Sequence, residues 1–349
     1  MVKKISNFIP DNFFVMVMKK HIAIVAGGYS REREISLKSA EQVCSQIDKD
    51  LFVPYTVDIT EKEWIVTGEK FKRGIPVNKD DFSFNYRDKK VRFDCAFIMI
   101  HGTPGENGIL QGYFEMVGIP YTTSDVLTSA LTFSKNATKV YVKSLGILTP
   151  KGILIKNDDK IDSERYVKEL KLPCFVKPNK SGSSFGITKV TDINDMLNAI
   201  LKALEEDDEV IVEEYIEGTE ITCGVFKTHE ETYVFPITEI VSKKEFFDFE
   251  AKYTDGMANE ITPARISRFA EIDCKILSSY IYEALDCRGV IRVDYILKND
   301  KLYFIEINSI PGMSKNSIVP QQIRAMGMTL KEFFTLLIND TLGIDSCRK

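Results

Sequence analysis

The alternation of apolar and polar positions divides the chain into a strand-and-helix series followed by a β-rich half. Residues 21–26 (HIAIVA) form an unbroken apolar run, the signature of a strand buried on both faces. Gly27-Gly28 supplies a turn, and Ser30 is placed to cap a helix through EREISLKSAEQV. Residues 91–100 (VRFDCAFIMI) predict a second strand, which ends at the loop HGTPGENG. This strand–loop–helix alternation predicts an open parallel sheet to about residue 123. Residues 124–216 mix helices with short strands: LPCFVKP, then a loop SGSSFG, then ITKV, with EVIVEEYI closing the stretch. Beyond 217, strands dominate (EITCGVF, TYVFPITEIV, GVIRVDYIL, KLYFIEIN), and MTLKEFFTLLIND predicts a last helix. The expected class is α/β, turning α+β in the later domains.

Bulk properties narrow the classes. A chain of 349 residues exceeds one small core, so two or three domains are expected. Hydrophobic residues make up 44% and charged residues 28%, the balance of a globular protein. The net charge of −5 gives the whole chain no attraction to nucleic acid or to an anionic membrane. No apolar run approaches the ~20 residues that span a bilayer. The seven cysteines are scattered, odd in number and without zinc spacing, which predicts reduced thiols in a cytoplasmic protein. Residues 1–17 contain FFVMVM, too short for a signal-peptide core and without a small-residue cleavage site. They are expected to be a disordered tail or an upstream-start extension.

Candidate chemistry concentrates in RGVIRVDYILKNDKLYFIEINSIPGMSKNSI at 288–318, which reads as a β-hairpin. Arg292 and Asp294 share one face of the first strand, Glu306 and Asn308 one face of the second. A three-residue turn at Asn299-Asp300-Lys301 puts Asp294 opposite Glu306, whereas a two-residue turn puts them on opposite faces. Two carboxylates and an amide oxygen are hard ligands suited to Mg²⁺ beside ATP phosphates. An ordinary hairpin with an Arg292–Asp294 salt bridge fits the hairpin equally well.

Three other segments are weaker alone. Lys177 ends an apolar strand before the Gly/Ser-rich SGSSFG, whose backbone could approach phosphate oxygens. A flexible hairpin turn explains it as well. Gly27-Gly28 before a helix could hold an anion, and Glu32 lies at the rim where such sheets bind ligands. His101 opens the loop HGTPGENG, where fixing local geometry is the plainer role. With three histidines, no Ser-His-Asp nucleophile is evident.

Assembled in order, the segments resemble the D-alanine–D-alanine ligase family of the ATP-grasp superfamily. The matching stretches are GGYSREREISL at 27–37, HGTPGENGILQGYFEMVGIPYT at 101–122, KPNKSGSSFGI at 177–187, EEYIEGTEIT at 213–222, EAKYTDG at 250–256, and RVDY with EINSIPGMSKNSIVPQQ at 292–322. The resemblance implies a three-domain ATP-grasp architecture at 18–123, 124–216 and 217–349, with an open parallel-sheet N-terminal domain and ATP between the second and third domains. Lys135 and Lys177 would hold phosphates, with Ser184 on the loop that follows Lys177. Glu213, Tyr215 and Ile216 would line the adenine pocket, and Glu220 would bind ribose. Asp294, Glu306 and Asn308 would hold two Mg²⁺ ions, with Mn²⁺ able to substitute. Glu32 would take the ammonium of the first D-alanine. Ser183 would sit on a closing loop, bonded by Tyr253. Arg292 and the backbone N–H of Gly312 would stabilise an oxyanion, and Ser317 and Lys252 would hold the second D-alanine and phosphate. A homodimer is implied, with D-alanine and ATP as substrates. D-alanine–D-lactate ligases are the near alternative, and a catalytically silent nucleotide-binding regulator is the distant one. Asn107 stands where the family usually has aspartate, and Ser309 where it has threonine.

Overall fold

The computed structural model describes residues 18–182, 185–242 and 258–344. The expectation for residues 1–17 lies outside them. Three sheets follow one another along the chain. The first is assembled from β1 (Lys20–Gly27), α1 (Arg33–Gln46), β2 (Phe52–Ile59), β3 (Trp64–Thr67), β4 (Ile75–Pro76), the small hairpin β5 (Ser83–Tyr86) and β6 (Lys89–Arg92), β7 (Cys95–Ile98) and α2 (Ile109–Val117). Its order is β4-β3-β2-β1-β7. β2, β1 and β7 are parallel, and β3 and β4 add an antiparallel edge. The apolar run of β1 is central and fully buried from Ile22 to Ala26, as continuous apolarity requires.

Two local expectations are corrected here. The single strand read over 91–100 is broken at Phe93-Asp94, so that β6 pairs with β5 and only β7 joins the parallel sheet. The Asp94 carboxylate accepts the backbone N–H of His21 at 2.8 Å, which fixes the break beside β1. Ser30 is not the cap of α1. The cap position is Glu32, and Ser30 Oγ accepts the Glu32 N–H at 3.2 Å while donating to the His101 carbonyl at 2.8 Å. Ser30 therefore ties the two loops at the sheet's carboxyl edge to each other.

The second sheet follows α3 (Val126–Phe133) and α4 (Lys135–Ser144). It contains β8 (Gly152–Lys156), α5 (Ser163–Leu170), β9 (Cys174–Pro178), β10 (Thr188–Val190), α6 (Met196–Leu204) and β11 (Glu209–Glu214). Its antiparallel order β10-β9-β11-β8 encloses a small core around Tyr166, Val176, Met196 and Val212.

The third sheet is built from β12 (Thr219–Lys227), β13 (Thr232–Val234), β14 (Thr238–Ser242), β15 (Ala258–Ile261), α7 (Arg268–Ala284), β16 (Val290–Lys298) and β17 (Lys301–Asn308). Helices α8 (Ile318–Ala325) and α9 (Leu330–Thr341) end the described chain. Its order is β15-β14-β12-β16-β17, with β13 on β12. The run TYVFPITEIV splits into β13 and β14 around Pro236, which has no N–H to give a ladder.

Two packing relationships join the layers. α3 and α4 rest on β17, so the helices that open residues 124–216 belong spatially with the third sheet. α9 is held by a capping box at Thr329 and Glu332 and packs back onto the first sheet, with Phe334 edge-on to Phe97 at 5.6 Å. One hydrophobic cluster therefore runs from Ile22 to Ile338, chaining the two ends of the described fold together. The six described cysteines are free thiols.

Candidate functional site

A cleft of about 620 Å³ opens between the second and third sheets and reaches the first sheet's β1–α1 turn. Thirteen of the residues singled out above line it: Glu32, Lys135, Lys177, Glu213, Tyr215, Ile216, Glu220, Arg292, Asp294, Glu306, Asn308, Gly312 and Ser317. Ser183, Ser184, Lys252 and Tyr253 lie outside the described residues.

The floor is the β16–β17 hairpin. Its turn has two residues, not the expected three: Lys298 pairs with Lys301, and Asn299 and Asp300 both take positive φ, 49° and 57°. Asn and Asp tolerate that region, and it is the twist a two-residue hairpin needs. A two-residue turn alone would put Asp294 and Glu306 on opposite faces. The register shifts by one between Tyr295↔Phe304 and Asp294↔Glu306, a β-bulge that leaves Ile305 without a partner and restores the parity. Asp294 thus faces Glu306, and Arg292 faces Asn308.

Asp294 is the hub of this face. Arg292 grips it with Nε at 2.9 Å and a terminal nitrogen at 2.8 Å, Asn308 donates at 2.9 Å, and Thr222 Oγ1 also donates to it. Burial opposes the charge on Arg292, but Asp294 and Glu306 outweigh it and hold the guanidinium above its ordinary range. The salt bridge considered as the plainer account of the hairpin is therefore present. It exists inside a cleft, beside a second carboxylate.

Opposite stands a cationic wall. Lys177, at the end of β9, lies 2.8 Å from Glu213 on β11, and Lys139 on α4 contacts the same carboxylate. Glu213 is buried, yet the two lysines outweigh that burial and hold it below the usual carboxylate range. Lys139 is pushed down to about 7, by burial first and by the neighbouring Lys177 against the pull of Glu213. Lys135, one turn earlier on α4, donates to the Ser181 carbonyl at 2.5 Å and lies 3.2 Å from Glu306. Sequence reasoning named Lys135 and missed Lys139. The available signal was the four-residue spacing in KNATK, which puts both lysines on one helix face. Asn179 fixes α4 to β9 by accepting the Asn136 N–H through its side chain and the Lys135 N–H through its backbone.

At one end of the cleft, Tyr215 follows β11 with its ring 5.9 Å from Phe175 and Lys189 Nζ 4.8 Å over its face. At the other end Glu32 is buried beside Gly182. A Cβ on Gly182 would lie 2.4 Å from Glu32 Oε2, so any larger residue there would have to displace that carboxylate. Arg31 binds Glu206 at 3.1 Å and lies over the Phe185 ring, which ties Phe185 and Glu206 to the start of α1.

His101 and Glu106 complete this end. His101 is buried and burial pushes its pKa down; its Nε2 meets no hydrogen-bond partner among the described residues. Glu106 accepts the Gly102 N–H at 2.7 Å, and burial with the charge of Glu32 pushes its carboxyl up to about 8. Asn107 donates to Thr103 Oγ1 at 3.1 Å, a loop-shaping contact away from the cleft lining. Beyond the hairpin, Ser317 occupies the N-cap position of α8 without capping it, bonds Ser314 Oγ at 2.7 Å, and stands over Gly312.

Comparison with known proteins gives the same direction. The family model described as D-ala D-ala ligase N-terminus matches residues 21–124, and that described as D-ala D-ala ligase C-terminus matches residues 141–339. The chain is 50% identical over 321 residues to the D-alanine--D-alanine ligase of Azobacteroides pseudotrichonymphae, covering 91% of this chain and 99% of the relative. It is 45% identical to that of Bacteroides fragilis, covering 93% and 99%. Among solved structures, the VanG D-Ala:D-Ser ligase of Enterococcus faecalis superposes with a TM-score of 0.81 at 35% identity, covering 93% and 100%. The D-alanine--D-alanine ligase of Bacillus anthracis complexed with ATP gives 0.75 at 27%, covering 93% and 98%. On these grounds, and with its sheets and cleft in the arrangement described, the chain belongs to the D-alanine–D-alanine ligase family.

Proposed function

We propose that this chain joins two D-alanines at the expense of ATP, through an acyl phosphate, to supply the dipeptide of peptidoglycan precursors. The observation that carries the reading is the cleft itself: two lysines and an arginine on its walls, with Lys139 bonded to Glu213 beside them, stand near two carboxylates brought opposite each other by a bulge. That arrangement suits a polyphosphate and its counterions better than it suits a fold held by isolated salt bridges.

The residues fit Mg²⁺ by donor chemistry. Asp294, Glu306 and Asn308 offer oxygen, and the lysines now neutralising Glu213 and Glu306 are the groups that phosphate oxygens would engage. With two carboxylates and one amide in the set, ATP phosphate oxygens would complete the shell. Bound there, Mg²⁺ would neutralise charge on the transferring phosphoryl group.

In this reading Tyr215 and Ile216 line the adenine, with Glu213 behind them, and Glu220 takes the ribose. Lys135 and Lys177 hold phosphates, joined by Lys139. Glu32 binds the ammonium of the first D-alanine, whose carboxylate attacks the γ-phosphate. The second D-alanine's amine then attacks the acyl carbon, the acyl C–O bond breaks, and phosphate leaves as the dipeptide forms. Arg292 and the Gly312 N–H stabilise the oxyanion. The loop carrying Gly182 over Glu32 excludes water from the acyl phosphate. Ser183, Ser184, Lys252 and Tyr253 retain the roles that the family resemblance implies. The same reading includes three domains at 18–123, 124–216 and 217–349, a cytoplasmic location in keeping with free thiols, and a homodimer.

The test is ADP formation by the full chain with Mg²⁺ and either alanine enantiomer. D-alanine-dependent ADP, phosphate and dipeptide are expected; equal phosphate release with L-alanine, or none with either, overturns the reading.

A further inference from the structure

Helix α8 buries Ile318, Val319 and Ile323, and among these apolar side chains stands a wholly buried glutamine, Gln322. An apolar residue of the same size would fill the place without taking an amide out of water. The Gln322 amide is aimed at the third sheet. Its nitrogen donates to the Thr222 carbonyl at 3.0 Å and to Thr238 Oγ1 at 3.1 Å. Its oxygen meets no hydrogen-bond partner among the described residues. Buried polar groups are rarely left half satisfied, so packing alone does not account for a glutamine here.

The sheet leaves room for this amide. Gly224 shares a face of β12 with Thr222, and a Cβ on it would lie 2.7 Å from the Gln322 oxygen. Gly224 pairs with Arg292 on β16, and Thr222 pairs with Asp294 and donates to its carboxylate through Oγ1. Gln322 is thus fastened to the strand that borders the Arg292–Asp294 hub. Its own helix begins at Ser317, the N-cap residue that lines the cleft over Gly312. We infer that Gln322 is a positioning residue. It holds the Ser317 end of α8, where the second D-alanine binds, in register with Asp294 and Arg292, where the acyl phosphate forms. The inference deepens the ligase reading above and rests on it. When the two halves lose register, the second amine no longer reaches the acyl carbon in time, since small misplacements of bound reactants are costly. Water attacks instead, the acyl C–O bond breaks, and D-alanine and phosphate are released with no dipeptide.

The experiment follows ADP and dipeptide together in the full chain, at saturating ATP and Mg²⁺ over a range of D-alanine. Gln322→Met fills the same space without the two N–H donors. It is expected to raise the D-alanine concentration for half-maximal dipeptide by roughly tenfold, the scale of one lost buried hydrogen bond. Dipeptide formed per ADP is expected to fall to about one half or less, while the KM for ATP stays unchanged. A glutamine that only supports the fold would lower the melting temperature and the amount of active protein, and leave dipeptide equal to ADP. Thr238→Val keeps Gln322 and removes one of its two acceptors. It is expected to shift the same ratio by about twofold, and it decides the matter if Gln322→Met does not fold. Dipeptide equal to ADP in the folded variants, beside a wild type that makes dipeptide, overturns this inference alone. A wild type that makes no dipeptide overturns the ligase reading and this inference with it.

Discussion

Lys139 and Lys177 converge on one carboxylate, that of buried Glu213, from a helix of one layer and a strand of another. Burial and the neighbouring Lys177 push Lys139 down to about 7, so an arriving anion would restore its charge. In the proposed reading that anion is a phosphate of ATP.

Replacing Glu213 with glutamine removes the acid that both buried lysines share, although Glu306 still favours the charge of Lys177. The expected cost is about 3–5 kcal/mol of stability, the usual penalty for breaking a buried ion pair from one side. Saturating ATP with Mg²⁺ is expected to recover part of it by mass action. Thermal melts with and without nucleotide measure this; a melting temperature within a degree of wild type would remove the cluster from the argument.

Arg292→Met is expected to lower kcat by roughly 10²–10³-fold, the loss that follows removal of one oxyanion donor. Arg292→Lys keeps the charge but not the two-pronged grip on Asp294, and is expected to recover only a small part. Single-turnover rates at saturating ATP decide the point. A change confined to the KM for ATP would make Arg292 a nucleotide contact instead.

Glu106 links pH to stability. Its carboxyl titrates near 4.5 when unfolded and near about 8 when folded, because burial and Glu32 disfavour the charge. Between those values the folded chain holds one proton more, so this group weakens folding as pH rises through the window. Glu106→Gln removes the proton exchange, and its melting temperature is expected to fall less than the wild type's from pH 5 to 8. Parallel curves for the two proteins would place the titration elsewhere.

Glu306→Gln is expected to raise the Mg²⁺ concentration for half-maximal hydrolysis by at least about tenfold, the scale at which changes one shell further out already act. EDTA should abolish turnover, and Mn²⁺ restore it. An unchanged Mg²⁺ titration would leave Glu306 as only the partner of Lys135.

The chain's order of motifs determined the family, and its local patterns located β1, β9, β11, β12, β16, β17 and α9, because an apolar run or a capping box is a property of neighbouring residues. The motifs, together with the family resemblance they carry, named thirteen residues that line one cleft. What the local view could not supply was anything set by residues distant in sequence. The break between β6 and β7 depends on which strand each finds as a partner. Lys139 becomes part of the cationic wall only because α4 lies against β11, 74 residues away. The hairpin is the sharpest case. Parity arithmetic from the sequence required a three-residue turn to set Asp294 opposite Glu306. The fold uses the two-residue turn that Asn299 and Asp300 favour, and corrects the parity with a bulge at Ile305. A bulge leaves no local signature in these residues, since its energy comes from how the twisted strand packs in the whole sheet. The sequence by itself therefore determined which chemistry the hairpin carries. Tertiary packing alone decided how its two carboxylates come to face each other.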